Sequence, residues 1–265
     1  MAIDANSYFS NQASVGLGGA TAGQFNKFDL HATPKYNLGF KVEQADGSVY
    51  RYSHFGAATN RGILVSQDIS ETSVVDTDNV VIAPASAVAV VDQTQKPGAI
   101  GSNYVQLTLA SITANQFRGG KFVTTDDTGE GYTYDILANT ATDTPASGDI
   151  RLTLAQPLQV ALDTSTDISI MGNRYSDLEA ATSTDEDPAG VSCSTTTSAL
   201  PYGWIQTKGS VGLLQNGTVT QGDILVVAAS GGAAETMTAF TQPIVGYCQD
   251  PGDTTGHMVA KINLE

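Results

Sequence analysis

The three histidines are the first candidates for chemistry, because imidazole is the side chain that most readily exchanges protons near neutral pH. His31, His54 and His257 lie far apart in the sequence. A hydrolytic triad would bring one of them together with a serine or cysteine nucleophile and an orienting carboxylate. Residues 191–194 (Val-Ser-Cys-Ser) lack the flanking glycines of a nucleophile elbow. The sequence therefore does not favour histidine-based catalysis, and we expect that the chain is not an enzyme.

Glycine-rich segments could bind phosphate groups, but neither candidate has the surroundings that such a site needs. Residues 16–19 (Gly-Leu-Gly-Gly) begin like a dinucleotide-binding turn, yet no strand pattern precedes them and no helical pattern follows. The motif Gly-x-x-x-x-Gly-Lys-Ser/Thr is absent from the sequence. Residues 119–122 (Gly-Gly-Lys-Phe) are more typical of a hairpin turn with a solvated Lys121.

Two acidic clusters could offer oxygen ligands to calcium, which takes six to eight of them. Asp126, Asp127 and Glu130 lie in one glycine-containing segment, and residues 76–79 (Asp-Thr-Asp-Asn) start like an EF-hand loop in which Val81 replaces the glycine. A solvated turn is the plainer interpretation of both clusters. Two carboxylates facing each other across a cleft, as in a glycosidase, stay an alternative. We expect neither a metal ion nor a cofactor.

The cysteines and the hydropathy of the chain bear on its compartment. Cys193 and Cys248 are too few to hold a zinc ion, so we expect two free thiols, with a disulfide as the alternative. Residues 1–6 lack the basic and apolar regions of a signal peptide. The longest apolar run, residues 80–91, is shorter than the roughly 20 residues that span a bilayer. We expect a soluble chain made in a cytoplasm, with no membrane partner.

Alternating apolar and polar residues predict that β-strands position these groups. In residues 105–109 (Val-Gln-Leu-Thr-Leu) every second residue is apolar, which gives a strand one buried and one wet face. Residues 150–154 repeat this pattern, and the apolar side chains of residues 258–264 also share one face. Turn-forming clusters recur at intervals of roughly ten residues, as in a sandwich or barrel. The predicted strands are 40–43, 49–52, 79–82, 104–109, 121–125, 131–138, 149–154, 167–171, 203–208, 211–214, 223–227, 243–248 and 257–264.

The pattern divides the chain into four parts. Residues 1–38 have no sustained period and form an extended N-terminal arm; residues 39–179 form a β-rich domain. Residues 180–190 are acidic and Pro-terminated and form a linker, and residues 191–265 form a small C-terminal β-domain. The predicted fold class is all-β: an extended N-terminal arm followed by two β-sandwich or small-barrel domains.

The arm combines a polar chain with widely spaced aromatic side chains. Such a composition is typical of a segment that becomes ordered against a partner, although a disordered terminus without a role is the alternative. The arm therefore predicts a contact surface, and its deletion should weaken partner binding while leaving the folded core unchanged. The candidate contact residues are Tyr8, Phe9, Phe25, Phe28 and Tyr36.

Net charge argues against one class of partner. The 265 residues include 27 Asp and Glu against 12 Lys and Arg, for a formal net charge of −15. Binding to nucleic acid depends on Lys and Arg contacts to phosphate, so this balance predicts no nucleic-acid partner. The aromatic fraction is 7%, with Trp204 as the single tryptophan, which is little for a cleft that stacks on sugars.

Several motifs follow one another in a distinctive order. Residues 114–122 are Ala-Asn-Gln-Phe-Arg-Gly-Gly-Lys-Phe, residues 127–134 are Asp-Thr-Gly-Glu-Gly-Tyr-Thr-Tyr, and residues 202–207 are Tyr-Gly-Trp-Ile-Gln-Thr. Gly-Asp-Ile at 222–224 and Ile-Val-Gly at 244–246 come next. This order, over roughly residues 40–265, resembles that of tailed-bacteriophage virion structural proteins, and its last part resembles capsid decoration (cement) proteins.

The resemblance implies a structural protein on the outer surface of a phage capsid. Such a protein binds the major capsid protein, bridges neighbouring coat subunits and often forms a homo-trimer. It would be made in the cytoplasm of a bacterial host. The alternatives are a carbohydrate-binding adhesin and a head-fibre or tail component of the virion. An adhesin would carry aromatic side chains on its loop tips.

Overall fold

The computed structural model describes residues 25–67, 74–77, 98–109, 112–142, 148–163, 166–182 and 187–265, with the backbone alone for 74–77. Within these ranges the chain forms sixteen β-strands and no helix. This result agrees with the lack of a 3.6-residue apolar period in the sequence. The predicted fold class, all-β with two sandwich- or barrel-like units, is confirmed.

The strands are short, apart from one of thirteen residues. The first eight are β1 (Lys41–Glu43), β2 (Val49–His54), β3 (Leu64–Gln67), β4 (Val74–Thr77), β5 (Tyr104–Leu109), β6 (Lys121–Asp126), β7 (Thr133–Asn139) and β8 (Gly148–Leu154). The others are β9 (Asp167–Met171), β10 (Leu178–Ala180), β11 (Pro188–Ser192), β12 (Tyr202–Leu214), β13 (Ile224–Val227), β14 (Ala234–Thr236), β15 (Ile244–Asp250) and β16 (His257–Asn263).

The first unit is a ten-stranded sheet built from described residues up to 67 and from 175 onward. Its main path runs β10-β3-β11-β12-β16-β15-β13-β14, and the β1–β2 hairpin joins through β12. The long β12 pairs with β2 along Tyr202–Lys208 and with β16 along Lys208–Leu214, both antiparallel. Strand β12 therefore holds together segments that lie far apart in the sequence.

The side chains of the first unit alternate as the sequence predicts where the pattern is regular. In β16 the residues Met258, Ala260 and Ile262 are buried, while Val259 and Lys261 are exposed. The turn before β2 contains Gly47, which has a φ of +81°, a conformation that glycine adopts without steric strain. Burial on the inner face is the main source of stability for such a sheet.

The second unit is a six-stranded antiparallel sheet in the order β4-β9-β6-β7-β8-β5, formed by described residues between 74 and 174. One face of the sheet packs into its own core, which also contains Phe117 and Leu158 from outside the strands. Phe117 and Phe122 are fully buried, and each contributes about 1.5–3 kcal/mol through burial. The buried members of this core are Val105, Leu107, Ile112, Phe117, Phe122, Tyr134, Ile136, Ile150, Leu152, Leu154, Leu158, Leu162, Ile168 and Ile170.

The chain divides differently from the sequence-based prediction. The predicted linker 180–190 overlaps two strands of the first unit, because β10 pairs with β3 and β11 lies between β3 and β12. Every residue of β11 is buried. The predicted domains 39–179 and 191–265 are therefore wrong in their boundaries. Since β2 pairs with β12, the second unit is an insertion in the sequence of the first.

Both cysteines are free thiols, as expected, with Cys248 buried and Cys193 half-buried. The alternative of a disulfide between them is therefore wrong. In the part of the chain that the structure describes, no helix has the length and hydropathy that crossing a bilayer requires.

Candidate interaction site

Tyr50, Tyr52 and Trp204 form a buried aromatic platform on the first unit. Tyr50 and Tyr52 lie two residues apart on β2, so they share a face of the sheet, and Trp204 is the register partner of Tyr52 on β12. The rings of Tyr52 and Trp204 are 5.2 Å apart in an edge-on arrangement, which aromatic pairs favour. All three side chains are at most 3% exposed. We call these three residues the aromatic platform.

Part of the predicted arm packs on this platform. The ring of Phe25 lies 4.8 Å from that of Trp204 in a T-shaped contact, and the ring of Tyr36 lies 5.1 Å from that of Tyr52. Phe28 differs, with 60% of its surface exposed. The rings of Phe25 and Tyr36 are therefore packed against their own chain, and their contact with a partner stays a prediction. Tyr8 and Phe9 lie outside the described residues.

His31 attaches the same segment through its backbone and its ring. Its N–H donates to the carbonyl of Tyr202 (2.8 Å), and its carbonyl accepts from the Tyr202 N–H (3.1 Å). The imidazole Nδ1 lies 3.0 Å from the Tyr52 hydroxyl, which also accepts from the Lys35 N–H. Burial and the nearby Lys35 lower the pKa of His31. The ring is therefore neutral at pH 7, and it helps to hold this segment against Tyr52.

The other two histidines lie in different surroundings. Nδ1 of His54 is 3.0 Å from a carboxylate oxygen of Asp177, and this hydrogen bond lowers the pKa of Asp177. His257 lies against Gly62, where an added Cβ would come within 2.8 Å of the imidazole. His31 and His54 both pair with Tyr202, His31 through a β-bridge and His54 through the register of β2 and β12.

A pocket of about 360 Å³ opens beside the platform. Phe28, Val211 and Gly212 provide apolar surface, while Lys27 and Arg61 bring two cationic side chains. The volume falls at the lower end of the range for ligand pockets. We call it the cationic pocket; its lining residues are Lys27, Phe28, Arg61, Gly62, Ser192, Cys193, Gln206, Val211, Gly212 and His257.

The cations of this pocket are not neutralised by the described part of the chain. No carboxylate within ion-pair distance of Lys27 or Arg61 occurs among the described residues. The Lys27 ammonium lies 5.2 Å from the Phe28 ring centre and 5.6 Å from that of Tyr50. In such cation–π contacts the ammonium is attracted to the electron-rich faces of the rings.

The Cys193 thiol in the pocket has low reactivity. Burial raises the pKa of Cys193 to about 12, an effect that the nearby Lys27 only partly opposes. A thiol must lose its proton to act as a nucleophile, so Cys193 stays protonated and unreactive at neutral pH. The cationic pocket is therefore suited to binding and lacks an activated cysteine.

A second surface of the first unit carries exposed apolar side chains. Ile224 and Tyr247 are register partners on β13 and β15, so they share a face, and they are 41% and 43% exposed. Val259 on β16 is 42% exposed, Ile244 at the start of β15 is 57% exposed, and Phe240 in the preceding loop is 97% exposed. We call these five residues the apolar patch. Exposed groups of this kind are typical of protein-interaction surfaces.

The acidic clusters do not form a cation site in the described residues. Asp126 ends β6, and its carboxylate accepts from the Asp127 N–H (2.8 Å) in the turn toward β7. No group of three His, Cys, Asp or Glu side chains that could hold a metal ion occurs in the described ranges. Asp76 and Thr77 belong to β4, and residues 78–79 lie outside the described residues.

Apart from Phe28, the residues of the cationic pocket and the apolar patch were not predicted from the sequence as contact residues. Lys27 and Arg61 escaped notice because their proximity depends on the packing of residues 25–38 next to β11 and β12. Phe240 could have been found, since it is a large apolar residue in the polar run Thr238-Ala239-Phe240-Thr241-Gln242.

Comparisons with known proteins add no relative to this picture. No family model, no curated protein and no solved structure matches the chain. The resemblance to phage capsid decoration proteins stays a prediction.

Proposed function

We propose that this chain is a structural virion protein that binds the outer surface of a tailed-phage capsid. It stabilises the shell by bridging neighbouring major capsid protein subunits, and it acts as a homo-trimer without a cofactor. An element that binds the assembled shell but not its dissociated subunits stabilises the shell by mass action. No chemical reaction takes part in this role.

The apolar patch is the observation that carries the proposal. Phe240 is 97% exposed and Ile244 is 57% exposed, although apolar side chains of this size are favoured in a core by about 1.5–3 kcal/mol each. A protein surface that keeps such side chains in water gains free energy when a partner covers them. The patch therefore supports a protein partner.

The charge of the chain supports an exterior location. A net charge of −15 repels packaged nucleic acid, since both carry negative charge. It does not hinder contact with a coat protein through the apolar patch, whose five residues carry no charge. Acidic charge and an apolar contact surface are together compatible with a protein that faces solvent outside the shell.

The buried aromatic platform does not offer a stacking surface to a carbohydrate-binding adhesin's sugar. Trp204 is 3% exposed and Tyr52 is fully buried, whereas stacking on a sugar ring requires an aromatic face open to solvent. The head-fibre or tail alternative shares the protein partner and differs in which part of the virion is bound. Separate binding measurements with capsids and with tails distinguish the two.

Co-sedimentation with expanded, undecorated capsids tests the proposal. The wild-type chain should pellet with the capsids at saturable stoichiometry, and Phe240→Ser should weaken binding about tenfold or more, as for a central interface residue. Leu137→Ser is the matched control, because Leu137 is 54% exposed in the second unit and lies outside the patch. Wild-type protein that stays in the supernatant would refute the proposal.

A further inference from the structure

The cationic pocket lies in a chain that contains few Lys and Arg residues. Of the 12 Lys and Arg residues in the sequence, Lys27 and Arg61 line this one pocket. Neither is paired with a carboxylate in the described ranges. In a chain with a net charge of −15, ample carboxylates exist to neutralise two cations. Because both cationic side chains line the same partly apolar pocket, an anionic group that enters it would meet two positive charges.

Two residues without side chains, Gly62 and Gly212, line the pocket. A Cβ added to Gly212 would meet no atom within 4 Å, so a glycine here leaves open volume next to strand β12. Gly62 has a φ of +71°, and an added Cβ would lie 3.2 Å from the Gly212 carbonyl oxygen. Both glycines line the pocket, and Gly212 leaves open space there that a side chain would fill.

The wall of the pocket indicates the shape of the occupant. Phe28 belongs to the lining and is 60% exposed, so the pocket opens to solvent at this side. A free small molecule in a ligand pocket usually buries most of its surface. An open pocket instead suits the end of a side chain that a larger partner presents.

We propose that the cationic pocket receives an acidic side chain, flanked by an apolar residue, from the protein to which this chain binds. The carboxylate is placed between Lys27 and Arg61, and the flanking apolar group contacts Phe28 and Val211. Arginine and lysine are the side chains that bind carboxylates most strongly. The inference rests on the proposed function, because the partner is the coat subunit, and it names the chemistry by which that partner is recognised.

Titration of the full chain with phenylacetate tests the pocket without capsids. Phenylacetate combines a carboxylate with an apolar ring, phenylacetamide is its neutral counterpart and phenethylammonium carries the opposite charge. The amide NMR signals of Gly62 and Gly212 should shift saturably with phenylacetate, at least tenfold more weakly with phenylacetamide, and not with phenethylammonium. Equal binding of the neutral amide, or no saturable shift, would overturn the inference.

Variants locate the binding to this pocket. Lys27→Gln combined with Arg61→Gln should abolish the phenylacetate shifts. Gly212→Val should do the same by filling the open volume, and its melting temperature should change little because an added Cβ meets no atom within 4 Å. Lys35→Gln combined with Lys208→Gln is the control with the same change in charge outside the lining. Loss of binding in the control, or unchanged binding in the pocket variants, would contradict the assignment.

Capsid binding separates this inference from the function on which it rests. If wild-type chain and control variant pellet with capsids and the Lys27→Gln, Arg61→Gln variant binds about tenfold more weakly, both are supported. If all three bind equally, the pocket assignment fails and the proposed function stands. If the wild-type chain does not bind while phenylacetate does, the proposed function fails and the pocket stands as a carboxylate site for another protein.

Discussion

Arg51 and Glu265 form a two-point ion pair that joins β2 to the chain two residues beyond the end of β16. Nε of Arg51 donates to Oε1 of Glu265 at 3.0 Å, and Nη2 donates to Oε2 at 2.6 Å. The Thr207 hydroxyl of β12 adds a third hydrogen bond to Oε1 at 2.5 Å. One carboxylate therefore connects three strands of the first unit, and the residues that it joins are up to 214 positions apart.

This carboxylate makes stability depend on pH. Hydrogen bonds from Arg51 lower the pKa of Glu265 from 4.5 to about 2. Because the folded-state pKa is depressed, the contribution is fully present above pH 4.5 and disappears as the pH falls from 4.5 through about 2. Glu265→Gln should lower the free energy of unfolding by about 1 kcal/mol at pH 7, since the pair is partly open to solvent.

Urea unfolding at a series of pH values checks this prediction. The difference between wild type and Glu265→Gln should shrink as the pH falls below 4.5. Glu43→Gln is a control, because Glu43 forms a solvent-exposed ion pair with Lys41. A difference between wild type and Glu265→Gln that grows toward low pH would contradict the proposed contribution of the ion pair.

Removal of Phe25 should destabilise the first unit. Phe25 contacts the rings of both Trp204 and Tyr50 but is only half-buried, so Phe25→Ala should cost about 2 kcal/mol, less than a fully buried phenylalanine. Phe28→Ala, at a residue that is 60% exposed, should change stability by less than about 0.5 kcal/mol. Guanidinium unfolding followed by Trp204 fluorescence measures both, and equal effects would contradict the packing described for Phe25.

This packing also changes what truncation of the chain should do. Deletion of residues 1–38 should lower the melting temperature, because it removes the Phe25, His31 and Tyr36 contacts together. The sequence alone predicted an unchanged core for this deletion. Calorimetry of the truncated and the full chain checks the point, and identical melting temperatures would show that residues 25–38 contribute nothing to the fold.

The two thiols should react slowly in the folded protein. Cys248 is 1% exposed, and burial raises the pKa of Cys193 to about 12, so the reactive thiolate is scarce at neutral pH. Ellman's reagent should detect two thiols in guanidinium and much slower reaction in buffer. Ala199→Cys, at an exposed position, should add one fast-reacting thiol, and a fast native reaction without it would contradict the burial of Cys193.

Light scattering of the purified chain tests the predicted trimer. The chain has a mass of 27.5 kDa, and the expected result is a single species of about three times that mass, in accord with closed homo-oligomer symmetry. A monomer at all concentrations would remove the trimer from the proposal and leave the capsid contact to single chains.

Regular strands were predictable from the sequence, and small-residue strands were not. β5, β8, β9 and β16 alternate strictly, so their bounds were predicted to within one residue. β11 is Pro-Ala-Gly-Val-Ser with every residue buried. Such a segment shows no alternation of apolar and polar residues and has few large apolar side chains. β3, β10 and β14 are only three or four residues long. The strand predicted at 79–82 lies outside the described residues.

The ends of strands and the boundaries of domains depend on residues that are distant in the sequence, and a local pattern does not include them. The sequence predicted two strands at 203–208 and 211–214, whereas β12 runs through both. Gly209 adopts a φ of +104°, and an added Cβ would lie 2.6 Å from the Ser48 hydroxyl oxygen, so the glycine allows a close approach within one strand. The inserted second unit was also unpredictable, because the pairing of β2 with β12 spans about 150 residues of sequence.

The candidate site was predictable only in part. The aromatic residues of the arm were identified as anchors, and Phe25 and Tyr36 do anchor, but on Trp204 and Tyr52 of their own chain. Spacing along the sequence gives the type of contact that an aromatic side chain makes and not the surface that it meets. The cationic pocket depends on the same packing of residues 25–38 against the first unit, so no local sequence pattern predicts it.

Thermal unfolding of expanded, undecorated capsids with and without the purified chain tests the central claim most directly. A protein that binds the assembled shell alone should raise the capsid melting temperature, with an increase that grows with the logarithm of the free protein concentration above its Kd. Phe240→Ser should require a higher concentration for the same increase. A capsid melting temperature that does not change at saturating protein would contradict the account.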